Sequence, residues 1–282
     1  MVTPVVELAR GLGLEVRDPV PLRSTNNLVI WLRPSSVVAK VSAVDGGAAE
    51  EWAIARALSD RGAPIVAPLE GLGHRLHRVD DRDVTFWPYV SQDRITEPSA
   101  QAVARALSDL HDALRTLHGH AVTRTFEDHL SEPLAALDRP DFSPELGSQD
   151  RDLLRAALSE GLTVLANRTD TVRTVHGSPH RGNILVVSGA PRFIDFETVR
   201  RGPIEWDLAH LPQAVADRYP GIFAPDVLAL CRTFVSATVS TWCWGGVTYG
   251  PDMRAHAEHH LTVVRSALLD PGSPQCVGGD GH

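Results

Sequence analysis

The strand-like runs of this chain gather in its first ninety positions and return between residues 171 and 194. Leu28-Val29-Ile30-Trp31-Leu32 and Val37-Val38-Ala39-Lys40-Val41 are apolar runs on either side of Pro34-Ser35-Ser36. They predict two strands around a turn within residues 22–44. Ala48–Arg61 switches to helix formers and is closed by Gly62 and Pro64. Val84–Val90 is a further short strand-like run containing Pro88. The first ninety residues therefore read as strands with one helix. Beyond them, Ser99 predicts the cap of a helix whose Val103, Ala106, Leu107, Leu110, Leu114 and Leu117 keep the i, i+3, i+4, i+7 spacing. A second helix is predicted between Asp150 and Ala166. Thr171–Val175, Ile184–Val187 and Arg192–Ile194 read as strands, the last two joined by Ser188-Gly189-Ala190-Pro191, and helices resume from about Glu205 to Leu269. No internal repeat is visible. The fold class this order predicts is α+β: a β-rich lobe over residues 1–90, a larger helical lobe over 91–270, and a Gly- and Pro-rich tail at 271–282 expected to be disordered.

Charge narrows the partners. A net charge of −8 argues against nucleic acid, whose phosphates recruit basic surfaces. The excess is uneven, −1 over residues 1–90 and −7 over 91–282. Such a balance favours a cationic ligand in the helical part, and solubility alone explains it equally. Three cysteines, Cys231, Cys243 and Cys276, make neither a disulfide framework nor a metal knuckle. Met1–Leu14 carries Glu7 and Arg10 and lacks the apolar run of a secretory signal. The charge-free stretch Thr233–Pro251 is broken by Ser, Thr and Gly, as in a buried helix rather than a membrane span. A cytoplasmic protein without membrane contact is expected.

Lysine is the odd residue. The chain holds one lysine, Lys40, against 26 arginines, and that lysine lies inside an apolar strand. A compact ammonium reaches into a polyphosphate cradle where a guanidinium does not fit; the competing reading is a strand lysine that snorkels outward. Ten residues on, a helix opens with Glu50-Glu51-Trp52. A strand lysine paired with a helix glutamate holds α- and β-phosphates in protein kinases, and Glu51, just before Trp52-Ala53-Ile54, is the better partner.

The most specific segment is His176-Gly177-Ser178-Pro179-His180-Arg181-Gly182-Asn183, followed by the hairpin, Ile194-Asp195-Phe196-Glu197 and Glu205-Trp206-Asp207-Leu208-Ala209. It resembles the catalytic segment of the aminoglycoside phosphotransferases and related kinases: His-Gly-Asp, four residues, Asn, a strand ending in Asp, then Asp-Leu-Ala. The resemblance spans about residues 20–215 and implies a protein-kinase-like two-lobed fold. It further implies an ATP- or GTP-dependent transfer of the γ-phosphoryl group to a hydroxyl of a small molecule, with Mg²⁺. The resemblance gives Lys40 the α/β-phosphates, with Glu51 orienting it, and gives Asn183 and Asp195 the metal. Those two supply the hard oxygens Mg²⁺ prefers. Ser24-Thr25-Asn26-Asn27 stands where the phosphates are covered, with Ser24, Asn26 and Asn27 as side-chain donors. Trp87-Pro88-Tyr89-Val90 stands at the inter-lobe hinge, where Pro88 and Val90 offer backbone groups to the purine. Asp207 is expected to brace the catalytic loop, and Arg181 either steadies charge during transfer or is a solvated loop residue.

The departure is Ser178, where the family carries its catalytic aspartate. Three routes stay open: transfer without that carboxylate, proton acceptance by His180, or a nucleotide-binding pseudokinase or regulator. Other classes fit less well. A serine hydrolase at Ser178 lacks the second glycine of a Gly-x-Ser-x-Gly elbow. A metal hydrolase at His176 and His180 lacks both a helix and the adjacent Glu. His256, His259 and His260 share a helix face that reads as solvated rather than as a metal site.

Overall fold

The computed structural model describes residues 1–24, 27–43, 47–73, 76–91, 97–117, 122, 124–139, 141–166, 172–246 and 251–269. The expected tail therefore lies outside the described residues. The chain forms two compact units, residues 1–121 with 179–199, and residues 122–178 with 200–282.

The first unit is built on a five-stranded antiparallel sheet, β1 (Val16–Ser24), β2 (Leu28–Pro34), β3 (Val37–Ala43), β4 (His77–Val79) and β5 (Arg82–Pro88), in the order β1-β2-β3-β5-β4. The central strand β3 sets Lys40 opposite Val29 on β2 and Thr85 on β5. Helix α1 (Val2–Gly11) buries Val5, Val6 and Ala9 in a core with Ile30, Leu32, Val84 and Phe86. Helix α2 (Gly47–Asp60) follows β3 and buries Ala48, Glu51, Ile54, Ala55 and Leu58, an i, i+3, i+4 stripe in which one position is a carboxylate. Helix α3 (Ala100–Arg115) is capped as expected, Ser99 Oγ accepting from Ala102 N at 3.2 Å, and packs on α2 and β8. The hairpin β7 (Ile184–Val187) and β8 (Ala190–Phe193) turns at Ser188 and Gly189, both with positive φ (52° and 81°), as a tight primed turn requires. Phe193 N donates to Pro64 O at 2.9 Å and Val66 N to Phe193 O at 3.1 Å, which fastens the hairpin behind α2.

Three elements here lie outside the sequence expectation: among the described residues the first ninety hold two helices rather than one, and the strands β1 and β4 join the three expected. Pro19 and Pro21 disguise β1; an edge strand tolerates them because one side of it has no ladder to complete.

In the second unit, α4 (Phe126–Leu137), α5 (Ser148–Ala166), α8 (Pro225–Gly245) and α9 (Pro251–Leu269) enclose a core that includes Leu130, Leu154, Leu158, Phe234 and Leu261. Strands β6 (Arg173–Val175) and β9 (Arg200–Gly202) pair antiparallel beside the short helices α6 (Ile204–Ala209) and α7 (Gln213–Ala216). Among the described residues α8 alone is long and apolar enough to cross a membrane. Two-thirds of its apolar window (67%) is buried in the protein, which makes it the central helix of this core. Two of its buried hydroxyls bond to backbone carbonyls: Ser240 Oγ donates to Ala257 O at 2.9 Å and Thr241 Oγ1 to Ala237 O at 2.8 Å. Residues 247–250, the end of the charge-free stretch, lie outside the described residues.

Helices α5, α4 and α8 meet at Gly161, where a β-carbon would stand 2.8 Å from Leu130 Cδ1 and 3.1 Å from the Phe234 ring. Gly161→Ala gains about 1 kcal/mol of helix propensity but overpacks a buried contact, which costs about 1–3 kcal/mol. The substitution is expected to lower the melting temperature in calorimetry; an unchanged or raised value contradicts the close approach.

Candidate active site

Lys40 points from the middle of β3 toward α2, and its side chain is 9% exposed. Its Nζ donates to both oxygens of Glu51, at 2.8 and 2.9 Å, and the Glu51 side chain is 2% exposed. Glu51 Oε1 also accepts from Phe196 N at 3.2 Å. The strand lysine and the helix glutamate therefore meet as the sequence led us to expect, and Glu51 rather than Glu50 is the partner.

The segment after the hairpin brings two more carboxylates to the same ammonium. Ile194 N donates to Asn183 O at 3.0 Å, so the two ends of the hairpin close on each other, with Asn183 paired to Ile194, the residue before Asp195. Asp195 adopts the left-handed conformation (φ 71°, ψ 71°), a strain of order 1–3 kcal/mol for a non-glycine residue of the kind found at functional sites. That turn sets Asp195 Oδ1 at 2.7 Å and Glu197 Oε2 at 3.2 Å from Lys40 Nζ. Asn27 Nδ2, from the tip between β1 and β2, donates to Glu197 Oε2 at 2.8 Å. Glu197 is the site residue the sequence reading missed. Its only local signal was a second carboxylate two residues past Asp195.

One ammonium among three carboxylates leaves a local excess of negative charge. Burial pulls the Lys40 pKa down, but Glu51, Asp195 and Glu197 outweigh it and hold the ammonium above its ordinary value. Burial, with Asp195 and Glu197 competing for the same ammonium, pushes the Glu51 carboxyl up to about 7, although Lys40 acts the other way. Glu51, Asp195 and Glu197 each offer an oxygen within 4.8 Å of the others. Glu51 is tied to Lys40 and Phe196 N. Asp195 and Glu197 offer hard oxygens of the kind that suits a divalent cation, and the side-chain oxygen of Asn183 at the other end of the hairpin is buried.

The His176-Gly177-Ser178 loop belongs to the second unit, and one carboxylate shapes it. Asp207 Oδ2 accepts from His176 N and Oδ1 from Gly177 N, both at 2.8 Å, and Trp206 Nε1 donates to Gly177 O at 2.8 Å. Asp207 and His176 are fully buried. Gly177 has a φ of +89°, a conformation in which a side chain is strained. Ser178 N donates to His176 Nδ1 at 3.3 Å, so His176 and Asp207 both hold this loop.

The remaining predicted residues fall as follows. Ser24 ends β1 opposite Leu28, and Asn26 lies outside the described residues. Pro88 ends β5 opposite Val37, three residues along the strand from Thr85, which faces Lys40. That separation is about 10 Å. Val90 follows just beyond, after Tyr89, whose ring stacks on Trp31 at 3.7 Å. His180 caps the 3-10 turn Arg181–Asn183, its Nδ1 accepting from Gly182 N at 3.0 Å. A β-carbon at Gly182 would lie 2.9 Å from that imidazole, so the ring is packed on bare backbone. Arg181 pairs with Glu97 on an exposed surface.

The sequence model of the phosphotransferase enzyme family (APH) matches residues 24–231. The chain belongs to this family. No curated protein matches it in sequence. Three solved structures with the fold of this phosphotransferase illustrate the likeness. A microcompartment-associated aminopropanol kinase is 16% identical, with a TM-score of 0.74, covering 98% of this chain and 100% of that one. The amicoumacin kinase hAmiN is 12% identical, with a TM-score of 0.72, covering 94% and 93%. The choline kinase LicA from Streptococcus pneumoniae is 15% identical, with a TM-score of 0.70, covering 95% and 99%. The likeness establishes a kinase-like α+β fold.

The raised Glu51 carboxyl has a measurable consequence. Because its folded value of about 7 exceeds the ordinary 4.5, protonation favours the folded phosphotransferase. That stability is complete below pH 4.5 and lost as pH rises through 7. Between pH 5 and pH 7.5 the melting temperature of Glu51→Gln, relative to wild type, is expected to rise, because the variant lacks this loss. A constant difference across that range contradicts the raised carboxyl.

Proposed function

We propose that this chain transfers the γ-phosphoryl group of ATP or GTP to a hydroxyl of a small molecule that also carries an amino group. The observation that supports the reading most is the buried Lys40–Glu51 pair opening onto Asp195 and Glu197. A buried ion pair is a poor way to stabilise a fold, whereas an ammonium beside hard oxygens matches the needs of a polyphosphate. In this reading Lys40 turns from Asp195 and Glu197 to the α- and β-phosphates while Glu51 keeps its direction. Asn183 and Asp195, with Glu197, would hold Mg²⁺, which would supply charge neutralisation to the β- and γ-phosphates. Ser24, Asn26 and Asn27 cover the phosphates, and the backbone of Pro88 and Val90 receives the purine.

Ser178 occupies the position of the family's base, and a hydroxyl does not accept a proton near neutral pH. His180 is poorly suited to replace it. Its Nδ1 already accepts from Gly182 N, so the neutral ring carries its hydrogen on Nε2 and has no second lone pair to offer. Transfer then rests on positioning and charge neutralisation, which a loose transition state allows. The acceptor class draws on two supports. Residues 91–282 carry a charge of −7, and the fold neighbours include kinases named for choline and aminopropanol, both amino alcohols.

Thermal shift tests nucleotide binding. Ligand at a hundredfold excess over Kd adds about 2.7 kcal/mol of stability, so ATP–Mg²⁺ or GTP–Mg²⁺ is expected to raise the melting temperature of wild type and not of Lys40→Ala. No shift with either nucleotide at millimolar concentration overturns the reading. Turnover on a panel of amino alcohols and neutral sugars tests transfer. Ser178→Asp restores a base worth about 10²–10⁴-fold and is expected to raise kcat, whereas His180→Ala is expected to lower thermal stability without moving the pH profile. Loss of the acid limb of that profile in His180→Ala would instead make His180 the base.

A further inference from the structure

The contact between Asn27 and Glu197 joins residues 170 positions apart and has no counterpart among the roles assigned above. Glu197 Oε2 receives two donors, Asn27 Nδ2 at 2.8 Å and Lys40 Nζ at 3.2 Å. The shorter bond comes from a neutral amide, not from the ammonium. The Glu197 side chain is 28% exposed and follows Asp195 within one 3-10 turn. A glutamate side chain carries up to about 2 kcal/mol of rotamer entropy to be overcome before it is fixed. Lys40 cannot hold Glu197 and a nucleotide's phosphates at once, because its Nζ already meets Glu51 and Asp195 as well. Once Lys40 turns to the phosphates, the Asn27 amide still holds Glu197 beside Asp195.

We infer that Asn27 is a positioning residue for the divalent cation: by fixing Glu197, it makes occupancy of the metal depend on the β1–β2 tip. The inference rests on the nucleotide-binding reading and adds to it. Asn27 was expected only to cover phosphates. Here it also links the phosphate-covering tip to the carboxylates 195 and 197, so that tip and metal act as one unit. Outer partners of metal ligands are worth about 10–100-fold in metal affinity, and Asn27 is expected to fall in that range. An amide suits the task better than a cation. It donates a hydrogen bond without adding a positive charge that would repel the metal.

The test is a Mn²⁺ titration in the presence of saturating ATP, followed by electron paramagnetic resonance of free Mn²⁺, on wild type, Asn27→Ala, Asn27→Ser, Glu197→Gln and the double variant Asn27→Ala/Glu197→Gln. Unliganded melting temperatures serve as the folding control, and Asn27→Ser stands in should Asn27→Ala prove poorly folded. Asn27→Ala is expected to weaken Mn²⁺ binding at least tenfold, and to weaken the binding of metal-free ATP by a smaller factor. In the Glu197→Gln background the same substitution is expected to have no further effect, because residues that act through one another are not additive. A wild-type Mn²⁺ affinity in Asn27→Ala, or a loss that adds in full to that of Glu197→Gln, overturns the inference and leaves nucleotide binding intact. Failure of the nucleotide reading shows itself differently, as absence of any ATP or GTP thermal shift in wild type, and would overturn both.

Discussion

Lys40 Nζ lies against both oxygens of Glu51 where water is nearly excluded, and the first unit is arranged so that this contact can exist. The central strand of the sheet carries the lysine, the helix that follows it turns a carboxylate into its apolar stripe, and the hairpin 184–193 is fastened behind that helix. Desolvating two charges costs several kcal/mol per ion before their attraction returns it, and well-packed apolar residues often serve stability as well or better. The pair therefore makes sense as equipment for a ligand. That the chain uses arginine 26 times and lysine once points the same way. A guanidinium at position 40 would bring five donors in a rigid fork to a place where a compact ammonium meets three separate carboxylates.

From this pair the rest of the site follows by charge. Burial first raises the Glu51 carboxyl, and one ammonium among Glu51, Asp195 and Glu197 adds an excess of negative charge. A divalent cation relieves it, and so does the arrival of a nucleotide that brings one. The left-handed Asp195 and the Asn27 amide hold the carboxylates in place in the meantime. In the second unit Asp207 does comparable work on backbone groups, with one oxygen for His176 N and one for Gly177 N in the loop that leads to Ser178.

Much of this was legible in the sequence, for identifiable reasons. β2, β3 and the hairpin 184–193 announce themselves as short β-branched runs between turn residues, and α3 by its capping serine and unbroken apolar stripe. Lys40, Glu51, Asn183, Asp195 and Asp207 were found because their order along the chain matches a family pattern. β1 was not legible because two prolines and register shifts at Val16/Asp18 and Pro21/Arg23 erase the alternation a strand normally shows. α4, which contains Pro133, was passed over for a related reason: proline is a poor helix residue, and the capping box of Thr125 and Asp128 is its clearest mark. Glu197 and its bond to Asn27 were invisible for a different reason. Their meeting is a product of tertiary structure, with no spacing or composition to signal it.

The central claim is that the Lys40 cluster receives the phosphates of a nucleotide. The most direct test is a crystal structure with a non-hydrolysable ATP analogue and Mg²⁺. The account predicts Lys40 Nζ within hydrogen-bonding distance of the α- or β-phosphate, still paired with Glu51, and the metal on Asp195. A nucleotide bound elsewhere, with Lys40 still donating to Asp195 and Glu197, would contradict it.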